Sequence, residues 1–156
     1  VSPEVYSDVK LIIAAEAAAL GIPVQWPNID FRPPSPPSLW LTIDLAAEAS
    51  ETIELGNKHW EEQGAIWLHV MISLNSGIEL GLAYRKALAN AFRAAVPTTI
   101  GLYYGSHAYD PLSPDDGVWR RLSVAISYRY YDINTADVHA NAAFTGGADL
   151  EPTAAP

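Results

Sequence analysis

From Gly64 to Leu74 the chain alternates without a break. Ile66, Leu68, Val70, Ile72 and Leu74 fall on one side, and Ala65, Trp67, His69, Met71 and Ser73 on the other. A period of two belongs to a strand with one buried face and cannot be satisfied by a helix. The fold must therefore contain a sheet with an apolar side. The same period runs through Val118–Tyr131, where Val118, Arg120, Leu122, Val124, Ile126, Tyr128 and Tyr130 oppose Trp119, Arg121, Ser123, Ala125, Ser127, Arg129 and Tyr131. It also runs through Ser38–Ala46, with Leu39, Leu41, Ile43 and Leu45 set against Trp40, Thr42 and Asp44. A strand over about 58–74 paired with one over 38–55, turning at Gly56-Asn57, gives a long hairpin whose distal end reaches beyond the core.

Two segments carry the helical period instead. Ser2-Pro3-Glu4 combines a capping residue, a proline suited to the first helical turn and an acid at the positive end of the dipole. Val5, Val9, Ile12, Ile13, Ala17 and Leu20 then recur at helical spacing until Gly21, which predicts a helix over 3–20. Ser76-Gly-Ile-Glu79 has the spacing of a capping box. The helix it opens runs to about Ala95, with Leu80, Tyr84, Ala87, Leu88, Ala91, Phe92 and Ala95 inward, and Pro97 closes it. Val24–Asn28 reads as a short edge strand, Phe31–Pro37 as a rigid proline-rich connector, Thr98–Tyr104 as a short strand and Gly105–Gly117 as a polar loop. The order predicts one α+β domain: a mostly antiparallel sheet with a long hairpin, flanked by two amphipathic helices.

The chain holds 9 Lys+Arg against 18 Asp+Glu, a net charge of −9. Gripping nucleic acid or an anionic membrane needs clustered cations, so this balance argues against both as binding partners. With 0 cysteines there is no disulfide frame, thiolate metal site or cysteine nucleophile. The apolar runs are short for a membrane span, and Val1-Ser-Pro-Glu4 does not read as a secretion leader. Residues 132–156 contain Asp132, Asp137, Asp149 and Glu151 with no Lys or Arg, and only Ile133, Val138, Phe144 and Leu150 to pack. The reading is a body over 1–131 and an acidic Ala/Gly/Pro-rich tail over 132–156, which is either a linker or an arm that orders against a neighbouring chain. A second acidic run spans 44–62, where Asp44, Glu48, Glu51, Glu54, Glu61 and Glu62 face only Lys58.

No catalytic constellation emerges. The chain has no phosphate loop, no dinucleotide fingerprint, no H-E-x-x-H and no G-x-S-x-G. His69 sits mid-strand, His59 lacks ligand spacing, and His107 and His139 fall in loops. Asp115-Asp116-Gly117 reads as a turn rather than as a carboxylate pair. No catalytic residue, metal or cofactor is assigned. The aromatics say more: Trp40, Trp67, Trp119 and Tyr131 lie on the strand face opposite the apolar one. Either they fill a second layer of the domain or they meet a sister subunit.

These residues resemble the phage tail terminator-like (tail completion) proteins of long-tailed phages and gene transfer agents. The resemblance lies in Leu20-Gly-Ile-Pro23 ending the first helix and in Trp26, Asn28, Phe31 and Pro33 of the next segment. It continues in Leu39-Trp-Leu-Thr-Ile43 before a Glu-rich stretch, the glycine-led strand Gly64–Val70, and Asn75-Ser-Gly77 opening the second helix. Asp115-Asp116-Gly117-Val-Trp119 leads into the last strand. It covers about residues 4–131, and the segment from 132 departs from the pattern.

The resemblance implies a structural, non-enzymatic virion protein at the tail–head junction, assembled in the bacterial cytoplasm. It implies a ring, usually of six subunits, on the last ring of the tail tube, ending tube growth and offering a surface to the head-completion or connector protein. A body of this length is about 36 Å across, and six touching spheres leave a hole of about one diameter. DNA would pass without specific binding, and Glu48, Glu51, Glu54, Glu61 and Glu62 are the candidates to line that channel. Trp40, Trp67, Trp119 and Tyr131 are the candidates for the subunit interface. The competing readings are another neck ring protein, or a small-ligand-binding or enzymatic α+β domain with the aromatics lining a pocket.

Overall fold

The computed structural model describes residues 1–35, 38–53, 59–74, 76–111 and 118–133. The elements run α1 (Pro3–Leu20), β1 (Val24–Gln25), β2 (Trp40–Thr52), β3 (His59–Ser73), α2 (Glu79–Ala94), β4 (Leu102–Tyr109) and β5 (Trp119–Ile133). The strands form one open sheet in the order β1-β2-β3-β5-β4. Among the described residues, β1 runs parallel to its neighbour and the other pairs are antiparallel. The α+β architecture read from the periodicities is the one observed.

The core lies between the helices and one sheet face. Val5, Val9, Ile13 and Ala17 form a stripe at a spacing of four on α1, and Leu88, Ala89 and Phe92 bury the inner side of α2. They meet Leu41 and Ile43 of β2, Ile66, Leu68, Val70 and Ile72 of β3, and Leu122, Val124 and Ile126 of β5. The alternating residues therefore point as the period of two requires, with the even positions of β3 and β5 inward. Gly21 ends α1 in the left-handed region at φ 67, where a side chain would be strained.

Several local expectations are corrected. Ser2 does not cap α1: its Oγ donates to Glu62 Oε2 at 2.6 Å, and its backbone N–H donates to the same carboxylate. The Ser76–Glu79 capping box does not form, because Ser76 Oγ donates to the Ser73 carbonyl at 2.7 Å. Leu80 is half exposed rather than inward, since it lies in the first turn of α2, away from the face that Gly81 presents to the sheet. The strand expected over Thr98–Tyr104 is Leu102–Tyr109. Thr98 and Thr99 instead donate their N–H groups to Asp8, which holds this stretch against α1 as a turn. The turn at Gly56-Asn57, Pro36-Pro37, Asn75, the Asp115-Asp116-Gly117 element and the segment from 134 lie outside the described residues.

Asp8 is the main polar joint. It is 4% exposed, yet Thr98 N (2.8 Å), Thr98 Oγ1 (2.7 Å), Thr99 N (2.9 Å) and Tyr104 Oη (3.2 Å) all donate to it. Burial alone would raise its pKa, but the donated hydrogen bonds outweigh burial and hold it below the ordinary carboxylate value.

Candidate functional site

The helices leave the second face of the sheet without a helical layer. That face carries Trp40, Trp67, His69, Met71, Trp119, Arg121, Ser123, Arg129 and Tyr131, by the registers Trp40↔Met71, Asp44↔Trp67, His69↔Ser123 and Glu61↔Tyr131. The four aromatics singled out from the sequence thus share a face but do not form one cluster. At one end Trp40 is 7% exposed, covered by Phe31 at 5.0 Å between ring centroids and by the edge of Trp119 at 5.8 Å. Phe31 folds over this corner from the proline-bearing connector, so in the single chain Trp40 is packed rather than presented. Mid-face, Trp67 is half-buried and stacks on His69 at 15°. At the far end, half-buried Tyr131 meets Tyr103 edge-on at 6.1 Å.

His69 joins two groups that belong to no sequence motif but lie together in space. Its Nδ1 is 2.8 Å from Ser123 Oγ and its Nε2 is 3.2 Å from Asp44 Oδ2. Burial, aided by the nearby Arg121 charge, pushes its pKa down despite Asp44. A serine, a histidine and an aspartate in line have the parts of a nucleophilic relay. Ser123 is 0% exposed, however, so its hydroxyl is presented to no substrate, and the trio ties β2, β3 and β5 together. Among the described residues there is no group of His, Asp and Glu that can hold a metal ion. No helix there is long and apolar enough to cross a membrane.

The acidic hairpin splits between the two faces. A bulge between Ala47 and Ala49 shifts the register of β2, which is why the sequence alternation fades there. Beyond the bulge Glu51 pairs directly with Glu61 on the helix-free face. Glu61 is relieved by Arg129, whose Nε lies 2.8 Å from Glu61 Oε1. Glu48 is exposed, and its charge reaches Tyr128 on the helix side. Glu62 is 9% exposed and committed, accepting from Ser2 and, at 2.6 Å, from Tyr128 Oη. Its burial would raise its pKa, but those hydrogen bonds hold it below the ordinary value, so it stays a charged tether for the start of α1. Glu54 lies outside the described residues. The tether depends on Gly64: any Cβ there would run into the Ala46 carbonyl and the Tyr128 ring, which lies over the glycine.

Sequence reasoning missed the sheet's free edge. With the order β1-β2-β3-β5-β4, β4 has no neighbour on its outer side among the described residues, and two-residue β1 leaves β2 uncovered beyond Thr42. Two adjoining grooves of about 580 and 540 Å³ flank β4 and share Tyr103, Tyr104 and Gly105. The first also takes Val96 and Ile100, which are 88% and 87% exposed, and Arg93; the second takes Arg129 and Tyr131. Trp60, 44% exposed on the distal hairpin, is a further aromatic not singled out from the sequence. The signal for β4 was present as Leu102-Tyr-Tyr, but its edge position depends on pairings that sequence alone does not carry.

Comparison with known proteins gives this geometry a family. A family model described as phage tail terminator protein matches residues 8–128. A solved structure 16% identical superposes with a TM-score of 0.65, covering 81% of this chain and 93% of its own, and bears on the fold alone. No curated protein matches the chain.

Proposed function

The chain belongs to the phage tail terminator protein family, and on that footing we propose that it ends a tail as a closed ring of identical subunits. Membership itself makes it a structural protein of tail completion in the virion tail and implies tail-tube and head components as its surroundings. The finer reading is a ring, six-membered as the resemblance implies, seated on the last tube ring of a phage or phage-like particle. There it stops growth and offers the opposite surface to the head-completion or connector protein, with no reaction performed.

The family match over 8–128 carries this reading. The surfaces support it. A ring built from head-to-tail contacts needs two unlike patches on opposite sides of the subunit. The sheet has such a pair in the free edge of β4 and the uncovered part of β2. The β2 side carries Asp44, and Arg93 stands at the β4 side, where it donates to Tyr109 Oη. The helix-free face adds Trp67, Trp119 and Tyr131, with Trp40 braced behind Trp119.

The distal hairpin is assigned to the channel, through Glu48, Glu51, Glu54 and Glu61, with Glu62 as a fixed charge behind them. Carboxylates there repel phosphates spaced about 1.7 Å apart along the duplex axis and let DNA slide. The test is microscopy of particles produced without this chain. Overlong or headless tails are expected; tails of normal length joined to heads would refute the proposal.

A further inference from the structure

β1 runs parallel to β2, and a parallel pair needs a connection that crosses from the end of one strand back to the start of the other. Here the crossing runs from Trp26 to Leu39, and among its described residues it forms neither helix nor strand. Phe31 carries it over the helix-free face, where its ring lies on Trp40. We infer that the middle of this crossing, residues 30–35, is a strap latched by Phe31, which lifts locally from the intact sheet and uncovers Trp40.

Both ends of the crossing are anchored. Trp26 packs against the core, with Lys10 Nζ 5.6 Å from its ring centroid, and Leu39 packs against the core at the other end. Just after Trp26 the chain turns. Ile29 N–H donates to the Trp26 carbonyl at 3.2 Å, and Asn28 stands at φ 57, a left-handed conformation that asparagine tolerates.

Between the anchors little holds the chain down. Among the described residues, no hydrogen bond or ion pair ties residues 30–35 to the sheet. Asp30, Arg32, Pro33 and Ser35 are exposed, and only Phe31 and Pro34 are half-buried. Pro33 and Pro34 have no N–H to donate and stiffen the segment, so it moves as one piece. The Phe31 ring, 5.0 Å from the Trp40 ring between centroids and tilted by 34°, is the latch.

The contact it closes is imperfect. Trp40 is 7% exposed, and among the described residues its indole N–H is covered without an acceptor. A donor buried unpaired forfeits the hydrogen bond that water gives it. The closed strap therefore gains apolar contact over Trp40 and loses polar solvation at the same spot. Those opposing effects place the strap at the low-stability end of the molecule, well below the sheet on which it lies. Opening uncovers an apolar strip, because Trp40 pairs with Met71 and meets the edge of Trp119 at 5.8 Å on the same face. Closed, the strap is a cover that the chain supplies to its own aromatic corner, keeping that strip from water.

Hydrogen exchange of the indole N–H reads the strap directly. The chain has 5 tryptophans, and Trp40→Phe assigns the Trp40 indole signal in the spectrum of the isotope-labelled chain. In the unsubstituted chain, protection of this N–H relative to free tryptophan is expected to be at least about tenfold lower than protection of the Leu68 and Val124 amides in the two central strands. Phe31→Ala should speed indole exchange by about tenfold more and leave those amides within about twofold. Equal protection of the indole and the two amides in the unsubstituted chain means that Trp40 opens only with the whole sheet, and this overturns the inference without recourse to any substitution at Phe31. Unchanged indole exchange in Phe31→Ala also overturns it, as does a rise matched by Leu68 and Val124. Neither readout requires a ring, so failure here leaves the ring reading standing.

Discussion

Replacing Asp8 with alanine removes an acceptor that holds α1 to the stretch before β4. Its carboxylate takes two backbone N–H groups and two hydroxyls, at 2.7 to 3.2 Å, in a site only 4% exposed. The hydroxyls of Thr98 and Tyr104 can rotate toward other partners, but the Thr98 and Thr99 N–H groups point at the vacancy. Each buried donor left unpaired costs about 1–3 kcal/mol. Some relaxation is expected because Thr98 itself is exposed, so the total loss is about 3–4 kcal/mol, a large part of the roughly 5–15 kcal/mol of a typical domain. Urea unfolding followed by tryptophan fluorescence reads it as a midpoint lower by about 2 M, for a slope of about 1.5–2 kcal/mol/M. Asp8→Asn keeps one acceptor oxygen and should lose about half as much. The pH dependence supplies a separate check. The folded pKa of Asp8 is depressed, so the unfolded chain binds the proton more readily and stability rises with pH. The contribution is complete above the ordinary carboxylate range, about pH 4, and is lost as pH falls through the folded value. Asp8→Asn should flatten that acid limb. A change within about 0.5 kcal/mol of the parent for Asp8→Ala, with the acid limb intact, would show that Asp8 is no joint at all.

Gly64→Val should destabilise by at least about 1–3 kcal/mol, because the new side chain meets the Ala46 carbonyl and the tethered Tyr128 ring; thermal melting reads it. Glu62→Gln should cost about 1–2 kcal/mol and speed hydrogen exchange in the first turn of α1, since Ser2 loses its charged partner. With a depressed folded pKa, Glu62 adds to the same loss of stability below about pH 4, and a titration of the Gln variant should show the smaller acid slope. Glu51→Lys combined with Glu61→Lys should slow DNA passage in particles whose tails still assemble, measured as ejection rate. An unchanged rate counts against the channel assignment.

The parts of the fold legible in the sequence are those governed by one local period. Val5 to Ala17 on α1 and Ile66 to Ile72 on β3 each bury one face, so spacing alone specified helix, strand and inward side. Where a distant partner decides, local signals mislead. Ser2 and Ser76 have the chemistry of caps, but Glu62 and the Ser73 carbonyl compete successfully for their hydroxyls. Thr98 and Thr99 have strand propensity, but Asp8, some ninety residues away in sequence, claims their amides. The acidic run from Asp44 to Glu62 reads as a uniform charged stretch. Strand alternation sends Glu61 and Glu62 of β3 to opposite faces and buries Glu62 beneath Ser2 and Tyr128, while a bulge at Ala47–Ala49 shifts the register of β2. The exposed edge of β4 depends on strand order, a property of the whole sheet that no segment encodes.

If this chain encircles the tail axis where the tube ends, a cryo-electron microscopy map of the assembled particle will show it. The expected density is a ring of copies stacked on the last tube ring, hairpins toward the lumen and β4 of each subunit facing β2 of the next. Density for the chain away from the axis, or repeated along the length of the tube, is incompatible with a terminating ring.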